Sequence, residues 1–141
     1  MTEDQYHLQR FVEAQTGVYE TARAELKAGE KRSHWMWFIF PQIAGLGYSS
    51  MAQRYAIRSI DEARAYLTHP VLGPRLRECT ALVNDVAGRS LGSIFGSPDD
   101  MKFHSSVTLF ARAAEEEDNV YRAALARYFG GREDPATVSR L

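Results

Sequence analysis

Leu8, Phe11, Gln15, Tyr19, Ala22 and Leu26 recur at steps of three and four residues, the interval that aligns side chains on one face of a helix. Gly17 interrupts the series, so the pattern predicts one bent helix or two short ones before Gly29. Leu72, Leu76, Cys79, Val83 and Val86 repeat the spacing and predict an amphipathic helix ended by Gly88. Pro70 and Pro74 then fall before or within its first turn, where a missing N–H costs little. Ser50 with Gln53 and Ser59 with Glu62 make capping-box pairs, which predict a short helix through Ala56 and another from Ile60 to Leu67. Ser97-Pro98-Asp99-Asp100 offers an N-cap, a proline for the first helical position and acidic residues for the positive end of the helix dipole. Phe103, Val107, Phe110 and Ala114 form the buried face that follows. A further helix is predicted from about Asn119 to Phe129, with Tyr121, Leu125 and Tyr128 inward and Gly130-Gly131 stopping it, and Asp134-Pro135 starts a final turn or short helix.

No stretch sustains a period of two, and no Asn-Gly or Asp-Gly turn joins β-rich runs. The expected fold is all-α, a compact single-domain bundle of about six to eight short helices across residues 1–141. Its expected centre is the segment from Lys31 to Gln42, which carries both tryptophans of the chain, Trp35 and Trp37, beside Phe38 and Phe40. Rings at this density bury area from more than one side, either as core that other helices wrap or as the wall of an aromatic pocket.

Composition narrows the classes of function. With 45% hydrophobic residues the 141-residue chain supports a core, and a net charge of -1 gives no electrostatic reason to expect a nucleic acid or an anionic membrane surface as partner. The longest apolar run, Trp35 to Phe40, is far short of the roughly 20 residues that span a bilayer. The first residues lack the basic and apolar pattern of a secretory signal, and the one cysteine, Cys79, excludes an internal disulfide, so a cytoplasmic location is expected. His7, His34, His69 and His104 lack ligand-like spacing, so neither a metal site nor a cofactor is expected.

Three constellations carry candidate chemistry. Trp35 and Trp37 could stack on a ring, with Arg32, His34 and Gln42 as the polar rim. Gly45, Gly47 and Ser49 lie in a turn that opens a helix, where backbone N–H groups could approach an anion such as phosphate; a plain tight turn is the alternative. Asp100 and His104 share a helix face with Thr108, flanked by Lys102 and Ser105. His34, Asp100 and His104 are therefore the candidates for proton transfer, and Arg32, Trp35, Trp37, Gln42, Gly45, Gly47, Ser49, Lys102 and Ser105 the candidates for ligand binding, a solvated polar face being the alternative for the helix.

Arg32-Ser33-His34-Trp35-Met36-Trp37-Phe38, Pro41-Gln42, Gly45-Leu46-Gly47 with Ser49-Ser50, His69-Pro70, and Phe95-Gly96 through Asp100, Lys102, Ser105, Ser106 and Thr108 to Phe110 resemble the bacterial and fungal proteins called domain of unknown function 1810. The likeness runs from about Leu8 to Gly131 and implies a compact all-α fold but no catalytic residue. Members sometimes carry the label calpastatin, a disordered protease inhibitor; so apolar a chain is expected to fold instead. The layout is also similar to the YbiA-like, NADAR group, which acts on ADP-ribose derivatives, although the chain departs from that group's motifs. Two functions follow as expectations: binding or hydrolysis of a phosphorylated, nucleotide-like small molecule, or a non-enzymatic module for protein interaction or homo-oligomer formation.

Overall fold

The computed structural model describes residues 4–141 of the chain. The first apolar series becomes two helices, α1 (Gln9–Gln15) and α2 (Tyr19–Ala28), broken between them at Thr16–Val18. Every member of that series, from Leu8 to Leu26, is buried. The one amide in it, Gln15, is satisfied there: Nε2 donates to the Phe38 carbonyl at 2.8 Å and Oε1 accepts from Arg75 at 3.1 Å.

The aromatic segment holds the short helix α3 (Met36–Ile39), with Trp35, Met36, Phe38, Ile39 and Phe40 all buried. Its approach is tied to α2 by a single carboxylate. Glu25 accepts hydrogen bonds from the Arg32 N–H (2.7 Å), the Ser33 N–H (2.9 Å), the Ser33 hydroxyl (2.6 Å) and the Trp35 indole N–H (3.0 Å). Burial works to raise the Glu25 pKa, but these donors outweigh it and hold the carboxyl below the usual glutamate value.

Helix α4 (Ser50–Arg54) starts as expected, with its cap shifted by one residue. Ser49 is the extended residue, and its hydroxyl accepts from the Ala52 N–H at 3.1 Å, whereas Ser50 is already helical. In α5 (Ile60–Thr68) Ser59 caps Glu62 as predicted, but the Glu62 carboxylate turns to the Arg58 N–H (3.1 Å) and to a buried ion pair with Arg10 (2.9 Å). Helix α6 (Leu72–Asp85) places Pro74 in its first turn, and His69 Nδ1 accepts from the N–H groups of Val71 and Leu72. Helix α7 (Leu91–Phe95), capped by Ser90, is too short for its periodicity to be read and lies outside the helices that the pattern predicts.

Helix α8 (Asp99–Ala113) begins one residue later than the proline suggested. Pro98 is the N-cap rather than the first helical residue, so Ser97 makes no cap, while Asp99 and Asp100 occupy the first turn as expected. Helix α9 (Val120–Phe129) has the expected ends: Asn119 Oδ1 accepts from the N–H groups of Tyr121 and Arg122, and beyond Gly130 the Gly131 N–H returns to the Leu125 carbonyl at 2.9 Å. Helix α10 (Pro135–Val138) follows Asp134. The described residues therefore form ten helices, above the expected six to eight, with one isolated parallel bridge between Ile43 and Ile57 and no strand. None of these helices is long and apolar enough to cross a membrane.

Helix α8 packs against α9, α5, α10 and α7, and α6 packs against α9, α5 and α2. Edge-to-face rings knit the interior: Phe40 with Phe95 and Phe103, and Phe11 with Tyr66, which in turn leans on Phe110.

Candidate functional site

The bridge between Ile43 and Ile57 fixes one wall of an open cavity. The Ile57 N–H donates to the Gln42 carbonyl and the Ala44 N–H to the Ile57 carbonyl, both at 2.8 Å, which holds the Gln42–Ser49 loop in place beside α3. Gly45 in this loop has φ +96°, a backbone conformation that other residues rarely adopt, and a β-carbon on Gly47 would sit 2.9 Å from that of Ala52. Trp37 projects from the outer face of α3, the neighbours Met36 and Phe38 pointing inward. Helix α8 presents Met101, Lys102, His104 and Ser105, and the start of α10 adds Asp134 and Ala136. The cavity has a volume of about 630 Å³.

Trp37, Gln42, Gly45, Gly47, Ser49, Lys102, His104 and Ser105 all line this cavity. The remaining candidates lie elsewhere. Trp35 is sealed in the core with its indole N–H on Glu25. The Arg32 side chain is exposed beside Glu30, and His34 is exposed on the same approach to α3, so neither belongs to the cavity rim expected for them. Asp100 accepts from the adjacent Met101 N–H at 2.9 Å, makes no hydrogen bond with His104 and is not part of the lining.

His104 is oriented by other groups. Its ring stacks on Phe129 at 3.8 Å between centroids, and Nε2 lies 2.8 Å from the Arg132 carbonyl. A carbonyl can only accept, so Nε2 carries the proton and Nδ1 of the neutral ring is left as an acceptor. Lys102 is held over the Trp37 ring, 4.8 Å from its centroid, and 3.4 Å from Asp99.

The charged residue that periodicity did not single out is Asp134. Its Oδ2 accepts from the hydroxyls of Ser105 (2.8 Å) and Thr137 (2.6 Å), and its N–H donates to Thr108 Oγ1 at 2.9 Å. Burial favours a raised pKa, but the Thr137 and Ser105 hydroxyls and the nearby His104 prevail and keep the carboxyl below the usual aspartate value. The Ser105 hydroxyl thus donates its hydrogen bond directly to the carboxylate, with no imidazole between them, so the three side chains do not form a serine nucleophile triad. Asp134 stands 29 residues from Ser105 in sequence, and its only local signal was the Asp-Pro start of a helix. Among the described residues no group of three or more His, Cys, Asp or Glu side chains is arranged to hold a metal ion.

The fold and the cavity together define a small all-helical domain with one wall built from a loop and a tryptophan and the other from a polar helix face. Residues 5–141 match the family model described as a protein of unknown function, DUF1810, and the chain belongs to that family. It is similar to the conserved hypothetical protein Rv1873 from Mycobacterium tuberculosis, known from a crystal structure, with 57% identity, 98% of each chain covered and a TM-score of 0.95. No curated protein matches the chain.

Proposed function

We propose that the cavity binds a phosphorylated, nucleotide-like small molecule of the ADP-ribose type. One observation carries the reading: Trp37, the Gln42–Ser49 loop and the Lys102–Ser105 face, singled out on separate grounds, meet around one space of about 630 Å³, within the roughly 300–1,000 Å³ of small-molecule sites. The half-buried Trp37 offers a surface for a planar ring, and Lys102 beside it offers charge to a phosphoryl group. Asp134 is a fixed acceptor for sugar hydroxyls, with Gln42, Ser49 and Ser105 as further polar groups on the same walls.

The same site suits hydrolysis. Asp134, held below the usual carboxylate range, is a poor base and a good stationary anion. The base is His104: Nδ1 accepts a proton from water as the water oxygen bonds to the cleaved centre, and the proton then passes to the leaving group, with Asp134 stabilising the imidazolium between. The low charge of the chain and the buried, free thiol of Cys79 support a cytoplasmic protein without a nucleic-acid or membrane partner.

A thermal-shift panel of NAD, ADP-ribose, nucleotides and sugar phosphates tests this reading. A ligand at 100 times its dissociation constant adds about 2.7 kcal/mol of stability, and Trp37→Ala or Lys102→Gln should lose that gain. If none of these compounds moves the melting of the wild-type chain, the small-molecule reading is wrong.

A second reading draws on the cavity mouth. Tyr48 and Met101 are 86% and 68% exposed and both line the opening, as in surfaces that bind protein partners or a second copy. A sedimentation coefficient that rises with concentration, and that Tyr48→Ser abolishes, would favour it.

A further inference from the structure

The turn after α10 lays a second cation at the edge of the cavity, outside the lining itself but packed against Gly45, which belongs to it. The Arg140 N–H donates to the Thr137 carbonyl at 3.0 Å, and the side chain reaches across to the loop on the opposite wall. A β-carbon on Gly45 would lie 2.9 Å from Arg140 Cζ and 3.4 Å from its Nε, so the guanidinium occupies the space that a side chain at position 45 would take. Gly45 is itself part of the cavity lining. Among the described residues the arginines of the ion pairs are Arg10, Arg23, Arg32, Arg64, Arg112 and Arg122, and Arg140 has no carboxylate partner. Lys102, by contrast, already shares its charge with Asp99. Alone it leaves a doubly charged phosphoryl group under-neutralised.

We propose that Arg140 is the second phosphoryl anchor of the site, its guanidinium lying over Gly45 and gripping the anionic end of the ligand. The assignment rests on the small-molecule reading above and adds a direction to it: phosphoryl oxygens at the Gly45 end, hydroxyls at the Asp134 end. A planar guanidinium gives two parallel hydrogen bonds to phosphoryl oxygens, which a lysine ammonium cannot reproduce. Glycine at position 45 keeps the space for that plane open.

Isothermal titration of the full chain with ADP-ribose, AMP, ribose 5-phosphate, inorganic pyrophosphate and, as the uncharged arm, adenosine tests the assignment. Arg140→Gln should weaken the phosphorylated probes that bind wild type by roughly tenfold, about 1.4 kcal/mol, leave any adenosine affinity unchanged, and leave the melting temperature within about 1 °C because the side chain is exposed. Arg140→Lys should recover part of the loss, and Arg89→Gln, a charge-matched change at an exposed arginine that packs on Gly29 rather than on the cavity residue Gly45, should cause none. Equal affinities of wild type and Arg140→Gln for a phosphorylated probe would overturn the Arg140 assignment and leave the small-molecule reading standing. An equal loss for adenosine and phosphorylated probes would also overturn it, since Arg140 would then shape the loop rather than hold charge. Wild type that binds none of the five probes overturns the reading and the assignment together.

Discussion

Trp35 and Trp37 stand two positions apart, and each has a lysine over its ring, Lys31 at 5.1 Å and Lys102 at 4.8 Å from the centroid. Both lysines reach the same carboxylate, Asp99, at 2.8 and 3.4 Å. Yet Trp35 is fully buried with its N–H on Glu25, whereas Trp37 is half-exposed and walls a cavity. The same pair of residue types is therefore part of the core on one side of α3 and part of a cavity wall on the other. What separates them is not the local cation–π pair but the surroundings: Trp35 packs beside Phe40 in the core, whereas Trp37 lines the open cavity.

The comparison can be broken by experiment, beginning with its largest effect. Trp35→Ala should cost about 3–5 kcal/mol in urea unfolding, because it empties a packed site. A cost near zero would mean that Trp35 is not the core partner of the pair. Glu25→Ala should cost on the order of 2–3 kcal/mol, since it leaves the indole and two backbone N–H groups without their acceptor. The same carboxylate sets an acid limit. Its pKa is depressed in the folded chain, so its contribution is present above the ordinary glutamate value of 4.5 and is lost as pH falls through the lower folded value. Melting curves from pH 7 to pH 3 should steepen below pH 4.5, and the Glu25→Ala chain should lose less over that interval. Asp99→Asn should cost about 1–2 kcal/mol, mainly through the buried Lys31 side of the bridge. Trp37→Ala should cost about 1 kcal/mol or less, yet remove the ligand-induced thermal shift. If Trp37→Ala destabilises as much as Trp35→Ala, the division between core and cavity wall fails.

How much of this was legible in sequence depended on how local the cause was. The Asn119 cap and the Gly130-Gly131 stop lie within a few residues of the helix they bound, and both formed as read. So did the buried stripe from Leu8 to Leu26, including its glutamine. The caps at Ser50 and Ser97 were displaced because cap position is decided by which residue is extended, and neighbouring serines and prolines look alike to a pattern. Eight candidates gather in one cavity, while Trp35 and Asp100 follow the alternatives the pattern leaves open, core and solvated helix face, and Arg32 and His34 fall outside the rim expected for them. Helical periodicity says which residues share a face, but it does not say what that face meets. Asp134 meets Ser105 from the start of α10 and Arg140 meets Gly45 from beyond its end, long-range arrangements with no repeat to announce them.

The thiol of Cys79 lies in the α6 stripe and is pushed up to about 12 by burial, with Glu78 adding to the rise. At neutral pH it is therefore protonated and shielded, and alkylating reagents can reach it only when the chain opens. The protein carries its own stopwatch: the rate at which an excess of iodoacetamide consumes this one thiol measures how often the interior is exposed, with no probe added to the sequence.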